Sequence, residues 1–153
     1  MNRRIQLTVL ADTITDRGIM HLKAVPRLKA LGIGNAGKSD LGLARLASLT
    51  NLEVLAVKGG SGLTDNGWKP LAGMPKLRAL EIYNSRITEQ GLAYLYPIKT
   101  LDSIQIRSTV PVGQQAVARL RTELPKVQTL DISQPEPPRR TRVAQPAKAM
   151  LRP

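Results

Sequence analysis

Apolar residues along this chain fall into two alternating rhythms. The first is the pattern L-x-x-L-x-[LIV], found as LKALGI from Leu28, LEVLAV from Leu52, LRALEI from Leu77, LDSIQI from Leu101 and VQTLDI from Val127. A degenerate copy, RIQLTV, begins at Arg4, and successive starts lie 24, 24, 25, 24 and 26 residues apart. Alternate side chains pointing one way predict a short strand in each copy. The second rhythm spaces apolar residues by three: Ile19, Leu22, Val25; Leu43, Leu46, Leu49; Trp68, Leu71, Met74; Leu92, Leu95, Ile98. That spacing predicts one buried helical stripe after each strand. Thr15, Ser39, Thr64 and Thr88 stand at the predicted helix starts as N-caps. Asp16, Asp40, Asp65 and Glu89 follow them, where a negative charge favours the positive end of the helix dipole. Pro70 predicts that the helix carrying Trp68 is short or irregular. No single strand–helix unit can bury both of its apolar stripes, so the units must stack on one another.

These segments, with helix starts such as ITDRGIMHL, LTDNGWKPL and ITEQGLAYL, resemble leucine-rich repeat proteins. The likeness is to the subgroup with an [IL]-T-D-x-G-L helix start, which includes ribonuclease-inhibitor-like, cysteine-containing and many bacterial repeats. It covers Arg4 to Ser133. It implies an α/β fold: a right-handed solenoid of about five repeats of 24–26 residues. A short parallel sheet would line the concave side and helices the convex side. Three departures stand out: no cysteine, Lys38 where sister repeats have Ile14 and Ile87, and an eroded helix start, GQQA, at Gly113 to Ala116. The repeat domain is expected to span residues 1–133.

In such a fold a partner meets the variable strand positions. Just after the last strand leucine the register reads Gly34, Lys58, Tyr83, Arg107, Ser133; two residues earlier it reads Gly32, Ala56, Glu81, Gln105, Asp131. Lys58, Tyr83 and Arg107, with Glu81 and Gln105 beside them, form the candidate partner-binding surface, because Tyr and Arg most often anchor interfaces. A third column, Lys29, Glu53, Arg78, Asp102, alternates in charge and predicts a ladder of ion pairs between stacked strands.

Composition narrows the chemistry. With no cysteine and one histidine, His21, neither a disulfide framework nor the usual zinc sites are available, and no metal or cofactor is expected. His21 shares its helix slot with Arg45 and Tyr94, which predicts an exposed side chain. The segment GIGNAGKSD, Gly32 to Asp40, matches the phosphate-loop pattern G-x-x-x-x-G-K-[ST]. Its glycines fall, on the repeat register, in the turn after the strand, and Ser39 fills the N-cap slot. No N-K-x-D motif and no suitably placed strand aspartate accompany it, so nucleotide hydrolysis is not expected. Gly37, Lys38 and Ser39 remain a candidate anion-binding turn. The net charge is +12. Residues 134–153, with five prolines and five basic residues against one acidic, read as a disordered basic tail.

The leading expectation is a non-catalytic module binding a protein partner through its strand face. The alternatives are an electrostatic binder of nucleic acid or another polyanion and, third, nucleotide binding through GIGNAGKS. No signal peptide or membrane span is read, so a cytoplasmic location is expected. The start lacks a polar cap over Leu7 and Val9, which leaves self-association through that end as an expectation.

Overall fold

A computed structural model describes residues 5–9, 15–34, 39–59 and 62–133. The chain is an α/β protein built on one six-stranded sheet in sequence order. The strands are β1 (Ile5–Val9), β2 (Leu28–Gly34), β3 (Val54–Lys58), β4 (Ala79–Ser85), β5 (Ser103–Ser108) and β6 (Thr129–Ser133). All neighbours pair in parallel. Between them run α1 (Asp16–His21), α2 (Asp40–Leu46), a 3-10 helix (Asp65–Gly73), α3 (Glu89–Ala93) and α4 (Gln114–Glu123). The element at Trp68 is the 3-10 helix, as Pro70 implied. A proline inside an α-helix removes a hydrogen-bond donor and crowds the preceding turn, and the tighter winding accommodates it.

The pairing follows the repeat register. Leu31 pairs Leu55, which pairs Leu80, then Ile104, then Leu130. The core is the two apolar stripes brought together. Leu31, Ile33, Leu55, Val57, Leu80, Ile82, Ile104 and Ile106 come from the strands; Leu43, Leu46, Trp68, Leu71, Leu92, Leu95 and Leu120 come from the helices. Burying a side chain of this size contributes roughly 1.5–3 kcal/mol, so stacking supplies what one unit lacks.

A second contact set locks one unit to the next. The Thr64 amide donates to Asp40 Oδ1 at 2.9 Å and the Thr64 hydroxyl to Asp40 Oδ2 at 2.6 Å. One unit on, the Thr88 amide donates to Asp65 Oδ1 at 2.9 Å and its hydroxyl to Asp65 Oδ2 at 2.5 Å. The glycine three residues after each threonine makes room. A Cβ at Gly67 would overlap the Asp40 carboxylate, and one at Gly91 would overlap that of Asp65. The T-D-x-G start is therefore an interlock between units, a role that helix-dipole reasoning did not supply. It also explains the eroded start at Gly113. There the longer Glu89 replaces Asp, its carboxylate occupies the place of a Cβ at 113, and Ala116 is accommodated in the former glycine slot.

The capping expectation holds in position and differs in detail. Thr15 accepts from the Gly18 amide at 3.2 Å and Thr88 from the Gln90 amide at 3.2 Å. Thr64 makes no side-chain cap bond, whereas the Thr88 hydroxyl both donates to Asp65 and accepts from the Gln90 amide. The charge ladder forms in two rungs, Lys29–Glu53 and Arg78–Asp102, both at 2.7 Å. With the Lys29 and Arg78 side chains largely solvated, each rung contributes at most about 1 kcal/mol and mainly fixes register.

One expectation about the glycines is corrected. Gly32 and Gly34 lie within β2, paired with Ala56 and Lys58, and not in the following turn. Parallel pairing with β3 holds the backbone extended through Gly34. Gly59 is the positive-φ glycine of the described residues, at φ 79. Gly37 and Lys38, the tail at 134–153, and the Leu7 and Val9 side chains on which self-association was expected lie outside the described residues and side chains.

The interlock predicts that Asp65→Ala lowers unfolding free energy by about 1–2 kcal/mol, through loss of acceptors for a backbone amide and a hydroxyl. Gly91→Ala is destabilising for a different reason, overlap of the new Cβ with that same carboxylate and with Ile87 Cγ1, of which only the first is relieved in the double variant. Denaturant unfolding of the two singles and the double should show a coupling of at least ~0.5 kcal/mol, the double being less damaged than the sum. Additive effects would contradict the interlock.

Candidate functional site

The strand face carries the candidate site, and strand pairing brings its residues together as the register implied. Lys58 pairs Tyr83, and Tyr83 pairs Arg107, on three adjacent strands; Ala56, Glu81, Gln105 and Asp131 form the neighbouring row. Alternation puts both rows on the side opposite Val57, Ile82 and Ile106, which are buried. Each side chain is thus aimed outward by the same leucines that anchor its strand in the core.

Tyr83 is the centre of this surface. It is half-buried, and its ring stands between two cations, with Lys58 Nζ 5.6 Å and Arg107 Cζ 5.5 Å from the centroid. The two cations come from strands on opposite sides of β4, so the ring is flanked by positive charge from both neighbours. The hydroxyl lies 3.1 Å from Glu81 Oε2 and 3.3 Å from the Gln105 amide oxygen. One hydroxyl proton serves one strong acceptor, and the carboxylate takes it as the stronger. Burial, then the hydrogen bond and negative charge of Glu81, raise the Tyr83 pKa above its ordinary value of 10.0, against a lowering pull from Arg107. Tyr83 therefore stays a neutral donor, held in one orientation.

Backbone geometry at the end of β4 supports this placement. Asn84 takes φ 54, a left-handed conformation that asparagine tolerates, and is the extra residue where Tyr83 pairs Arg107 and Ser85 pairs Ser108. The Gly59 amide donates to the Tyr83 carbonyl at 3.0 Å. The residue carrying the ring is thereby tied to β3 as well as to β5.

Lys58 and Arg107 are exposed, and among the described residues neither forms an ion pair; the three pairs found are Lys29–Glu53, Arg78–Asp102 and Lys99–Glu123. The face thus offers two unneutralised cations bracketing a fixed aromatic ring.

Sequence reasoning missed a second feature, an open groove of about 650 Å³ at the N-terminal ends of the strands. Glu53, Lys76, Arg78, Thr100, Asp102 and Lys126 help line it. Its signal lay in the column just before the first leucine of each strand, Asn51, Lys76, Thr100, Lys126, whose members interlink. Lys76 donates to Asn51 Oδ1 at 2.7 Å, Asn51 to the Pro26 carbonyl at 3.0 Å, and Thr100 to the Leu77 carbonyl at 2.5 Å. With Arg78 held by Asp102, most polar groups of the groove serve the stacking of units. The strand face is the better-prepared surface.

The phosphate-loop candidate is weakened on its described side. Gly32 is a paired strand residue and Asp40 is engaged by Thr64, while Ser39 stands at the N-cap in extended backbone. His21 is exposed, as its slot implied. Among the described residues no cluster of His, Asp and Glu could hold a metal ion, and no helix is long and apolar enough to cross a membrane. No protein-family model matches the chain, and no curated protein matches it significantly.

Replacing Glu81 by Gln removes a nearby negative charge that opposes the phenolate. The Tyr83 pKa should then fall towards its ordinary value, read as an NMR-detected titration midpoint at lower pH. An unchanged midpoint would mean that Glu81 does not hold the hydroxyl.

Proposed function

We propose that this chain is a short leucine-rich repeat solenoid of the right-handed α/β kind, acting as a non-catalytic module that binds a protein partner on its strand face. The family likeness rests on the repeated L-x-x-L-x-L and T-D-x-G segments, and the sequence-ordered pairing of six parallel strands supports it. The observation that carries the function is the fixed ring of Tyr83 between Lys58 and Arg107. An immobilised aromatic flanked by cations loses little conformational entropy on binding, which is what makes Tyr and Arg effective interface anchors. Glu81 and Gln105 hold that anchor in place.

The net charge of +12 favours a second reading, an electrostatic binder of polyanions. Two features weigh against it at this site. Lys58 and Arg107 flank the Tyr83 ring at 5.6 and 5.5 Å from its centroid, so a stacking base would compete with two cations for it. Glu81 and Asp131 also place negative charge on the same surface.

Affinity capture with the wild-type chain and with a Tyr83→Ala/Arg107→Ala variant tests the proposal. The variant should lose the partner while keeping its circular dichroism spectrum and unfolding midpoint. Persistence of every captured partner would show that the strand face is not the contact surface. Binding to labelled DNA or RNA at two salt concentrations tests the second reading, which requires a steep fall in affinity with salt.

A further inference from the structure

Resting on the strand-face reading, we infer that the partner presents an α-helix laid across the strands, with acidic residues at i and i+7 and basic residues at i+3 and i+10. The charge pattern of the face carries this. Lys58 on β3 and Arg107 on β5 are one strand apart from Tyr83 on either side. Glu81 on β4 and Asp131 on β6 form a parallel row of opposite sign, offset by one strand. Crossing from β3 to β6, the outward charges therefore alternate: Lys58, Glu81, Arg107, Asp131.

Spacing selects the helix. Neighbouring strands lie about 4.8 Å apart, so like charges on this face recur at about 9.6 Å. On a helix rising 1.5 Å per residue, i and i+7 share a face about 10.5 Å apart, and i+3 falls between them at about 4.5 Å. An extended segment places same-side residues at about 6.7 or 13.4 Å and misses both cations at once. A helix with Glu at i and i+7 reaches Lys58 and Arg107, while Lys at i+3 and i+10 meets Glu81 and Asp131. The rows sit two residues apart along each strand, so acids and bases lie on the two flanks of the docked helix. Tyr83 stands in the cation row between Lys58 and Arg107, so it lies beneath the acidic flank. The chain's own residues 134–153, five basic to one acidic, are the wrong sign for the cation row, so the occupant is another molecule.

The probe is a synthetic alanine-based helical peptide carrying Glu at i and i+7 and Lys at i+3 and i+10, titrated into the full chain by NMR. The amides of Lys58, Tyr83 and Arg107 should shift, and changing both Glu residues to Gln should weaken binding about tenfold, the equivalent of about 1.4 kcal/mol. A Lys58→Ala/Arg107→Ala chain should lose the difference between the two peptides. No shifts at these amides, equal affinity for the Glu and Gln peptides, or tighter occupancy of the same residues by a single-stranded oligonucleotide would each overturn the inference. Failure of the peptide while captured partners are still lost in the Tyr83→Ala/Arg107→Ala variant overturns the charge pattern and leaves the strand face standing. Indifference of both peptide and partners to that variant overturns both.

Discussion

Two successive units of this protein are each held by a carboxylate that belongs to the unit before. Asp40 and Asp65 each accept two hydrogen bonds from the next threonine, one from its amide and one from its hydroxyl. The amide concerned lies at a helix start, where donors lack partners within the helix. A neighbour's side chain therefore completes each helix terminus, and helix formation in one unit is linked to docking of the next. Glycine at 67 and 91 is required by this approach and not by backbone angle. The leucine core provides most of the favourable free energy and sets strand register, since a slip of one residue would expose it. The carboxylate bonds and the ion-pair column reinforce that register.

Much of this was legible in the sequence. The strand positions, the helical stripes, the N-cap positions and the outward column Lys58–Tyr83–Arg107 all follow from aligning the repeats, because periodicity reports which side chains share a face. What escaped was chemistry acting between units. Asp40 read on its own helix is a dipole partner; only the stacked neighbour reveals it as an acceptor for Thr64. Gly32 and Gly34 read as turn residues by their type and as strand-face positions by the repeat register; pairing with β3 bears out the register, since tertiary context outweighs a weak local preference. The groove beside Lys76 and Thr100 was overlooked although its columns are in the sequence, because its shape comes from turns of separate units.

The same stacking builds the candidate surface. Tyr83 owes its fixed orientation to Glu81 on its own strand and to Lys58, Gln105 and Arg107 on the two neighbours. A slip of one strand by one residue would turn these side chains into the core and the leucines outward. The core, the interlock and the surface are therefore one system: the buried leucines set register, the carboxylates reinforce it, and register assembles the charge pattern.

Hydrogen exchange at the Thr64 and Thr88 amides tests this dependence most directly. Both residues are exposed at helix starts, where an uncapped amide exchanges rapidly. If the Asp40 and Asp65 carboxylates hold the units together, both amides will exchange as slowly as those of the central strands β3 and β4. Exchange at the rate of an open loop would show that the carboxylates do not lock the stack, and the account would fail.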